Sequence, residues 1–217
     1  MHTSLVVRVF DTASRVCWRP QVLALSAASL VGGHLAFAAL GADRGFWNLP
    51  PPAMVLLVLV VIAQGWTGLC VSATALALAR SQHAPFATEI RPIVWVPATT
   101  AFEAGFVSLA LALPTLASLL FLVVPGVVLA LRWSQSLMLI VDGRTSWFES
   151  AEESALITHG RRLDILVIWS LLAAVFVGVA GVQADAPPVV DSILHVGATT
   201  FSLAVVAAIY GHLTWRY

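Results

Sequence analysis

Five polar side chains that fall inside long apolar stretches are the residues of this chain best suited to chemistry. They are His34, Gln64, Arg132, Gln135 and His195. Polar groups are costly in hydrocarbon, so an intramembrane polar residue is a candidate for function. At 1.5 Å per helical residue, all five are expected roughly 5–16 Å from the same membrane face. The sequence therefore predicts one polar layer contributed by four spans.

This layer has three interpretations. A fixed guanidinium at Arg132, assisted by Gln135 and Gln64, suits a phosphate or carboxylate, including a lipid head group. Alternatively, Arg132 bonds to helix-end carbonyls while the glutamines join helices. His34 and His195 could also ligate a haem or a chlorophyll-type pigment, although their spacing does not require it. No catalytic or metal-ligand spacing is present, so we predict no catalytic residues, no enzyme activity and no metal site.

The composition indicates an integral membrane protein. The chain is 59% hydrophobic and 10% charged, with a mean hydropathy of +0.92, well outside the range of soluble domains. A net charge of +0 gives no electrostatic attraction to nucleic acid, so no nucleic-acid partner is expected. The 217 residues suit a single membrane domain over 1–217.

The elements that position the polar layer are predicted to be all α-helical. Residues 1–20 form an amphipathic interfacial helix, because Arg8, Asp11 and Arg15 share a face. Residues 145–160 form a second, cytoplasmic surface helix that begins with a capping box of Ser146 and Glu149. The six predicted spans cover about 22–40, 53–79, 100–124, 127–141, 163–182 and 192–214.

The fourth span is predicted to be unusual. Pro125-Gly126 is expected to form the sharp turn before it, since proline cannot continue a helical ladder and glycine accepts unusual dihedral angles. The apolar stretch 127–141 would then reach only roughly 22 Å, which is less than the hydrocarbon thickness. Neighbouring helices or local thinning of the bilayer would have to compensate.

The distribution of arginine predicts the orientation. Every basic residue is an arginine, and only Arg44 falls in a predicted outer loop, while Arg132 is inside the membrane. The other arginines all fall on the opposite side: Arg8, Arg15, Arg19, Arg80, Arg91, Arg144, Arg161, Arg162 and Arg216. The positive-inside rule therefore places both termini in the cytoplasm.

A pattern in the second half of the chain resembles a known family. It runs from Val124-Pro125-Gly126-Val127-Val128 through Leu131-Arg132-Trp133 and Val141-Asp142-Gly143 to Ser154…Gly160. The pattern resembles the six-helix membrane domain of bacterial glycerophosphodiester phosphodiesterases and related stand-alone small membrane proteins of unknown function. The chain contains no phosphodiesterase domain, so the resemblance implies a fold, a topology and a bacterial inner membrane, but no reaction.

The sequence favours a non-enzymatic role. We expect an accessory or scaffold protein that packs against a larger membrane complex, with other membrane subunits and the lipid bilayer as partners. The alternative is a binder or carrier of a lipid or amphipathic small anion that uses Arg132. No cofactor is expected unless the two histidines hold a pigment or haem.

Overall fold

The described residues of the computed structural model are 4–39, 49–81, 93–183 and 188–214, and they form helices and no strand. In chain order the helices are α1 (Leu5–Cys17), α2 (Pro20–Ala39), α3 (Pro51–Ser81), α4 (Ala98–Phe121), α5 (Val123–Trp133), α6 (Ser136–Val141), α7 (Ser150–Ile157), α8 (Arg162–Gln183) and α9 (Pro188–Thr214).

Five helical segments are long and apolar enough to cross a membrane: Pro51–Arg80, Ala98–Phe121, Val123–Val141, Arg162–Val182 and Ile193–Thr214. They coincide with the last five predicted spans. The first predicted span coincides with α2, of which Pro20–Gly33 is a shorter apolar helix. The chain is therefore an all-helical, multi-pass membrane protein, and a sixth span stays a prediction.

The main core is formed mostly by α1, α2, α3, α8 and α9, which we call the body, and it also includes Leu131 of α5 and Met138 and Leu139 of α6. Its largest fully buried side chains include Tyr210, Ile209, Ile165 and Ile168. The apolar face of α1 packs against α9, where the rings of Phe10 and Phe201 stack with centroids 6.0 Å apart. This face of the predicted interfacial helix therefore contacts protein.

The helices α4, α5 and α6 form an antiparallel hairpin beside the body. The turn lies at Leu122, which is extended, with φ −147° and ψ 96°. The prediction of a turn at Pro125-Gly126 is wrong, because both residues lie in the first turns of α5. Proline is tolerated there because the first helical N–H groups have no intrahelical acceptor. A Cβ at Gly126 would lie 2.6 Å from the Leu119 backbone nitrogen, so glycine permits the close approach of the two helices.

The second predicted surface helix is shorter than expected. Helix α7 begins at Ser150, not at residue 145, and no side chain caps it. The Glu149 N–H donates to the backbone carbonyl of Ser146 at 3.2 Å, so residues 147–149 form a turn and the predicted capping box is wrong. Ser150 and Ser154 are fully buried because α7 packs against α5 and α6. One face of α7 therefore contacts the hairpin.

Candidate functional site

A cavity of ≈ 600 Å³ lies between α2, α3 and α9, and we call it the three-helix cavity. Its walls are mostly apolar, with Leu30, Val61 and Leu203 among the lining residues. Two of the five predicted site residues, Gln64 and His195, line it together. The structure thus brings together side chains from α3 and α9 that are far apart in the sequence.

Glycines create much of the space in this cavity. Gly65 and Gly68 line it from α3, and a Cβ added at either residue would meet no atom within 4 Å. On α2, Gly33 has the opposite role, because the position of its missing Cβ is occupied by the side-chain amide of Gln64. The absence of a side chain at Gly33 therefore lets the Gln64 amide extend against α2.

Ser26 is the polar group of the cavity that stands out. It lines the cavity at 3% exposure, and its hydroxyl has no hydrogen-bond partner among the described residues. Hydroxyls in helices usually donate to the carbonyl four residues earlier. The residues of this chain that do so include Thr67, Ser72, Thr74, Ser108, Thr115, Thr200 and Thr214. The Ser26 hydroxyl departs from this pattern and is left for another partner.

The two histidines of the pigment hypothesis have different outcomes. His195 lines the cavity and is exposed. The backbone of His34 lies in α2, directly after the cavity-lining Gly33. The His34 side chain is outside the part of the chain that the structure describes. Ligation of a haem or pigment by this pair stays a prediction.

Arg132 and Gln135 lie in the hairpin and do not line the three-helix cavity. A break between α5 and α6 lies at Ser134 and Gln135, and Arg132 is in the last turn of α5 before it. The Ser154 hydroxyl of α7 bridges this break: it donates to the Arg132 carbonyl at 2.9 Å and accepts from the Gln135 N–H at 3.1 Å. Ser154 thus satisfies backbone groups that the break would leave without partners.

The side chains at this break are placed differently. The Arg132 side chain is exposed. Gln135 is fully buried, and its Oε1 has no partner in the described part of the chain. Four of the five predicted residues therefore separate into a cavity group of Gln64 and His195 and a hairpin group of Arg132 and Gln135.

A charged network that the sequence did not reveal joins the body to the hairpin. Asp142, which follows α6 and has 8% side-chain exposure, contacts Arg80 of α3 at 2.6 Å and Arg144 at 2.8 Å. The Tyr210 hydroxyl of α9 donates to Asp142 Oδ2 at 2.7 Å. Burial alone would raise the pKa of Asp142, but hydrogen bonds from Arg80 and Tyr210 and the charges of Arg80 and Arg144 lower it overall. Asp142 is therefore held as a carboxylate.

Sequence reasoning missed this network for a physical reason. In the sequence, Arg80 at the end of a span indicated only the orientation of the chain. Asp142 was noted only as part of the Val141-Asp142-Gly143 motif. Tyr210 is one of two tyrosines in the chain and falls inside an apolar stretch, which was a usable signal because a buried phenol usually needs a partner. The identity of that partner depended on how the helices pack.

Comparisons with known proteins found no matching family model, no matching curated protein and no matching solved structure. The resemblance to the six-helix membrane domain of phosphodiesterases therefore stays a prediction.

Proposed function

We propose that this protein is a non-enzymatic membrane protein that binds a lipid or another amphipathic small molecule in the three-helix cavity. The observation that carries the proposal is that Ser26 lines this cavity and that its buried hydroxyl has no hydrogen-bond partner among the described residues. A buried polar group without a partner costs about 1–3 kcal/mol. A ligand with a hydrogen-bonding group would remove that cost.

The lining of the cavity favours a particular ligand chemistry. A volume of ≈ 600 Å³ lies within the range of small-molecule sites, roughly 300–1,000 Å³, which are mostly apolar with a few polar groups. Ser26 and Gln64 can donate and accept hydrogen bonds, and the described residues that line the cavity include no arginine, aspartate or glutamate. We therefore infer a ligand with an apolar body and a neutral polar group, such as a hydroxyl or an ester carbonyl.

The same geometry argues against an anion at this site. The earlier hypothesis assigned an anion to Arg132, and Arg132 does not line the three-helix cavity. The hydroxyl of Ser26 forms no hydrogen bond to a described histidine, whereas a serine nucleophile is activated by an adjacent base. Binding without chemistry is thus the role that these side chains support.

A cavity-filling substitution tests the proposal. Gly68→Leu places a large side chain in the cavity, and Gly178→Leu is the matched control on α8, where a Cβ also meets no atom within 4 Å. Native mass spectrometry of protein purified in mild detergent measures the lipid or small molecule that is retained. We expect Gly68→Leu to reduce retention at least about tenfold, equivalent to about 1.4 kcal/mol, with retention unchanged in Gly178→Leu. Equal retention in both variants would contradict the proposal.

We propose as a second candidate an accessory subunit of a larger membrane complex. The observation that favours it is the hairpin, in which α4 buries only Ala104 and Val107. Around its tip, Leu120, Phe121 and Val124 are 84%, 85% and 74% exposed. Such a surface can contact either lipid or another subunit. Co-purification of a second protein at fixed stoichiometry, lost on Leu120→Ser but kept on Leu171→Ser in α8, would support the subunit role. No co-purifying protein would leave the hairpin in contact with lipid.

We also propose a bacterial inner membrane as the location, with both termini in the cytoplasm. The distribution of arginines supports this orientation. A reporter protein fused to the C-terminus that is active only in the cytoplasm tests it. Activity instead of a second reporter, one that works only after export and is fused at the same position, would reverse the orientation.

A further inference from the structure

A second, smaller cavity lies at the end of the bundle where α9 ends and α8 begins. Its volume is ≈ 140 Å³, and four basic side chains line it: Arg8, His159, Arg161 and His212. The other described residues that line it are apolar, and no acidic residue is among them. We call it the basic pocket. It is distinct from the three-helix cavity, because the two share no lining residue.

Arg8 is the most informative residue of the basic pocket. Its Nε is buried and has no hydrogen-bond partner among the described residues. Arg15, two turns further along α1, has an ion pair with Asp11 at 2.8 Å and a side chain that is 64% exposed. The same helix thus presents one arginine paired to a carboxylate in solvent and one with an unpartnered buried nitrogen beside a cavity. A buried donor without an acceptor is costly, so an acceptor is expected there.

The other basic groups are held in place around the same space. Arg161 contacts Asp164 through Nη1 at 3.3 Å, which is a long distance for an ion pair. His212 Nε2 and the Thr12 hydroxyl are 3.0 Å apart, so α1 fixes the position of the imidazole of α9. The long helix α8 begins at Arg162, and the N-terminus of a helix carries a partial positive charge. These groups all favour an anion in the pocket.

We propose that the basic pocket binds a phosphate group, carried by an anionic phospholipid or supplied as free phosphate. Arginine matches phosphate oxygens with paired N–H donors. The pocket can hold a phosphate group but not a whole lipid. Leu156 and Leu163, which are 69% and 78% exposed, lie in α7 and at the start of α8, on either side of the lining segment of His159 and Arg161. This apolar surface favours the lipid as the source.

The test uses the full-length protein in detergent, titrated with phosphatidic acid, with phosphatidylcholine and, in a separate arm, with inorganic phosphate. Native mass spectrometry counts bound lipid, and calorimetry measures binding of inorganic phosphate. Arg8→Gln removes one of the two arginines that line the pocket. Arg15→Gln removes the same charge from the same helix outside the pocket. We expect Arg8→Gln to weaken binding of phosphatidic acid at least about tenfold, or about 1.4 kcal/mol. Arg15→Gln should change it less than about twofold, since exposed charges contribute little.

The outcomes separate the two sources and the two sites. Arg8-dependent binding of phosphatidic acid alone identifies a lipid head group, and equal Arg8 dependence for inorganic phosphate identifies free phosphate. If Arg8→Gln does not fold, Arg161→Gln carries the same expectation. Equal losses in the pocket and control variants, or no loss in either, would overturn the proposal. Gly68→Leu should leave this binding unchanged, so failure of the three-helix cavity as a site would not affect the result.

Discussion

The network around Asp142 and the three-helix cavity bury polar side chains in the same bundle with opposite results. Asp142 has contacts to two arginines and a tyrosine. Ser26, which is even more buried, has no hydrogen-bond partner among the described residues. In both regions α3 and α9 pack against a third element. The packing of helices alone therefore does not explain why Asp142 has partners and Ser26 has none among the described residues.

The presence or absence of partners separates buried polar residues that hold the fold from those that are available to a ligand. A buried group whose partners all come from the protein stabilises one arrangement of helices. A buried group without a partner lowers stability and is retained at a cost that binding can offset. By this criterion Asp142 is structural, whereas Ser26 belongs to the site that we propose.

The backbone at the break between α5 and α6 belongs with the structural group, whereas the buried Oε1 of Gln135 in the break has no partner among the described residues. Ser154 bonds to the backbone on both sides of the break, so the exposed Arg132 is part of a helix whose interruption is closed by protein. We expect the loss of stability on substitution to follow this division, with the largest loss at Asp142, an intermediate loss at Ser154 and no loss at Ser26.

Removal of the charge at Asp142 should have the largest effect on stability. Asp142→Asn leaves Arg80 and Arg144 without their carboxylate. Breaking a buried pair costs about 3–5 kcal/mol, and because the Arg80 side chain is 36% exposed we expect a smaller loss of about 2–3 kcal/mol. Chemical denaturation in detergent measures it. Asp11→Asn, which breaks an exposed i,i+4 pair, is the control and should cost less than about 0.5 kcal/mol. Similar losses in both variants would mean that the network is not a structural centre.

Ser154→Ala should have an intermediate effect. It leaves the Gln135 N–H and the Arg132 carbonyl without their bonds to the hydroxyl, at a cost of about 1–3 kcal/mol. Ser150→Ala is the matched control, because Ser150 is equally buried but bonds only to the nearby Trp147 carbonyl. Hydrogen exchange at the amide of Gln135 should accelerate in the first variant alone. Unchanged exchange there would show that the bridge does not hold the break.

Ser26→Ala should cause no loss of stability and a clear loss of binding. The substitution removes a buried hydroxyl without a partner among the described residues, so the free energy of unfolding of the ligand-free protein should rise, by up to about 1–3 kcal/mol. Ligand retention in the three-helix cavity should fall severalfold, as measured by native mass spectrometry. Ser72→Ala, at a buried serine that donates to the Gly68 carbonyl, should destabilise the protein instead. If Ser26→Ala destabilised the protein and Ser72→Ala did not, Ser26 would belong to the structural group.

Hydropathy predicted most of the architecture. The five membrane-length helices fall on predicted spans because a run of about 20 apolar residues can satisfy its backbone only as a helix in a membrane. The details at helix ends were less predictable. The turn before α5 lies at Leu122 and not at Pro125-Gly126, and α7 begins one turn later than predicted. Contacts with neighbouring helices set the start of α5 and the start of α7.

The candidate site was only partly accessible from sequence. Intramembrane polarity singled out Gln64 and His195, which do line one cavity. The same signal grouped them with Arg132 and Gln135, because depth along a helix can be counted from sequence but the direction around the bundle cannot. Ser26 gave no signal of its own, since most helical hydroxyls in this chain bond to their own backbone.

The sequence by itself determined that the chain is helical and apolar enough for a membrane, and it predicts that the arginines concentrate toward one face. These properties follow from local composition and from the periodicity of single helices. Only the tertiary structure decided which polar groups meet: Asp142 with Arg80 and Tyr210, Ser154 with the hairpin break, and Ser26 with an open cavity. The physical reason is that a hydrogen bond depends on distances of about 3 Å, and residues far apart in the sequence reach such distances only after the helices have packed.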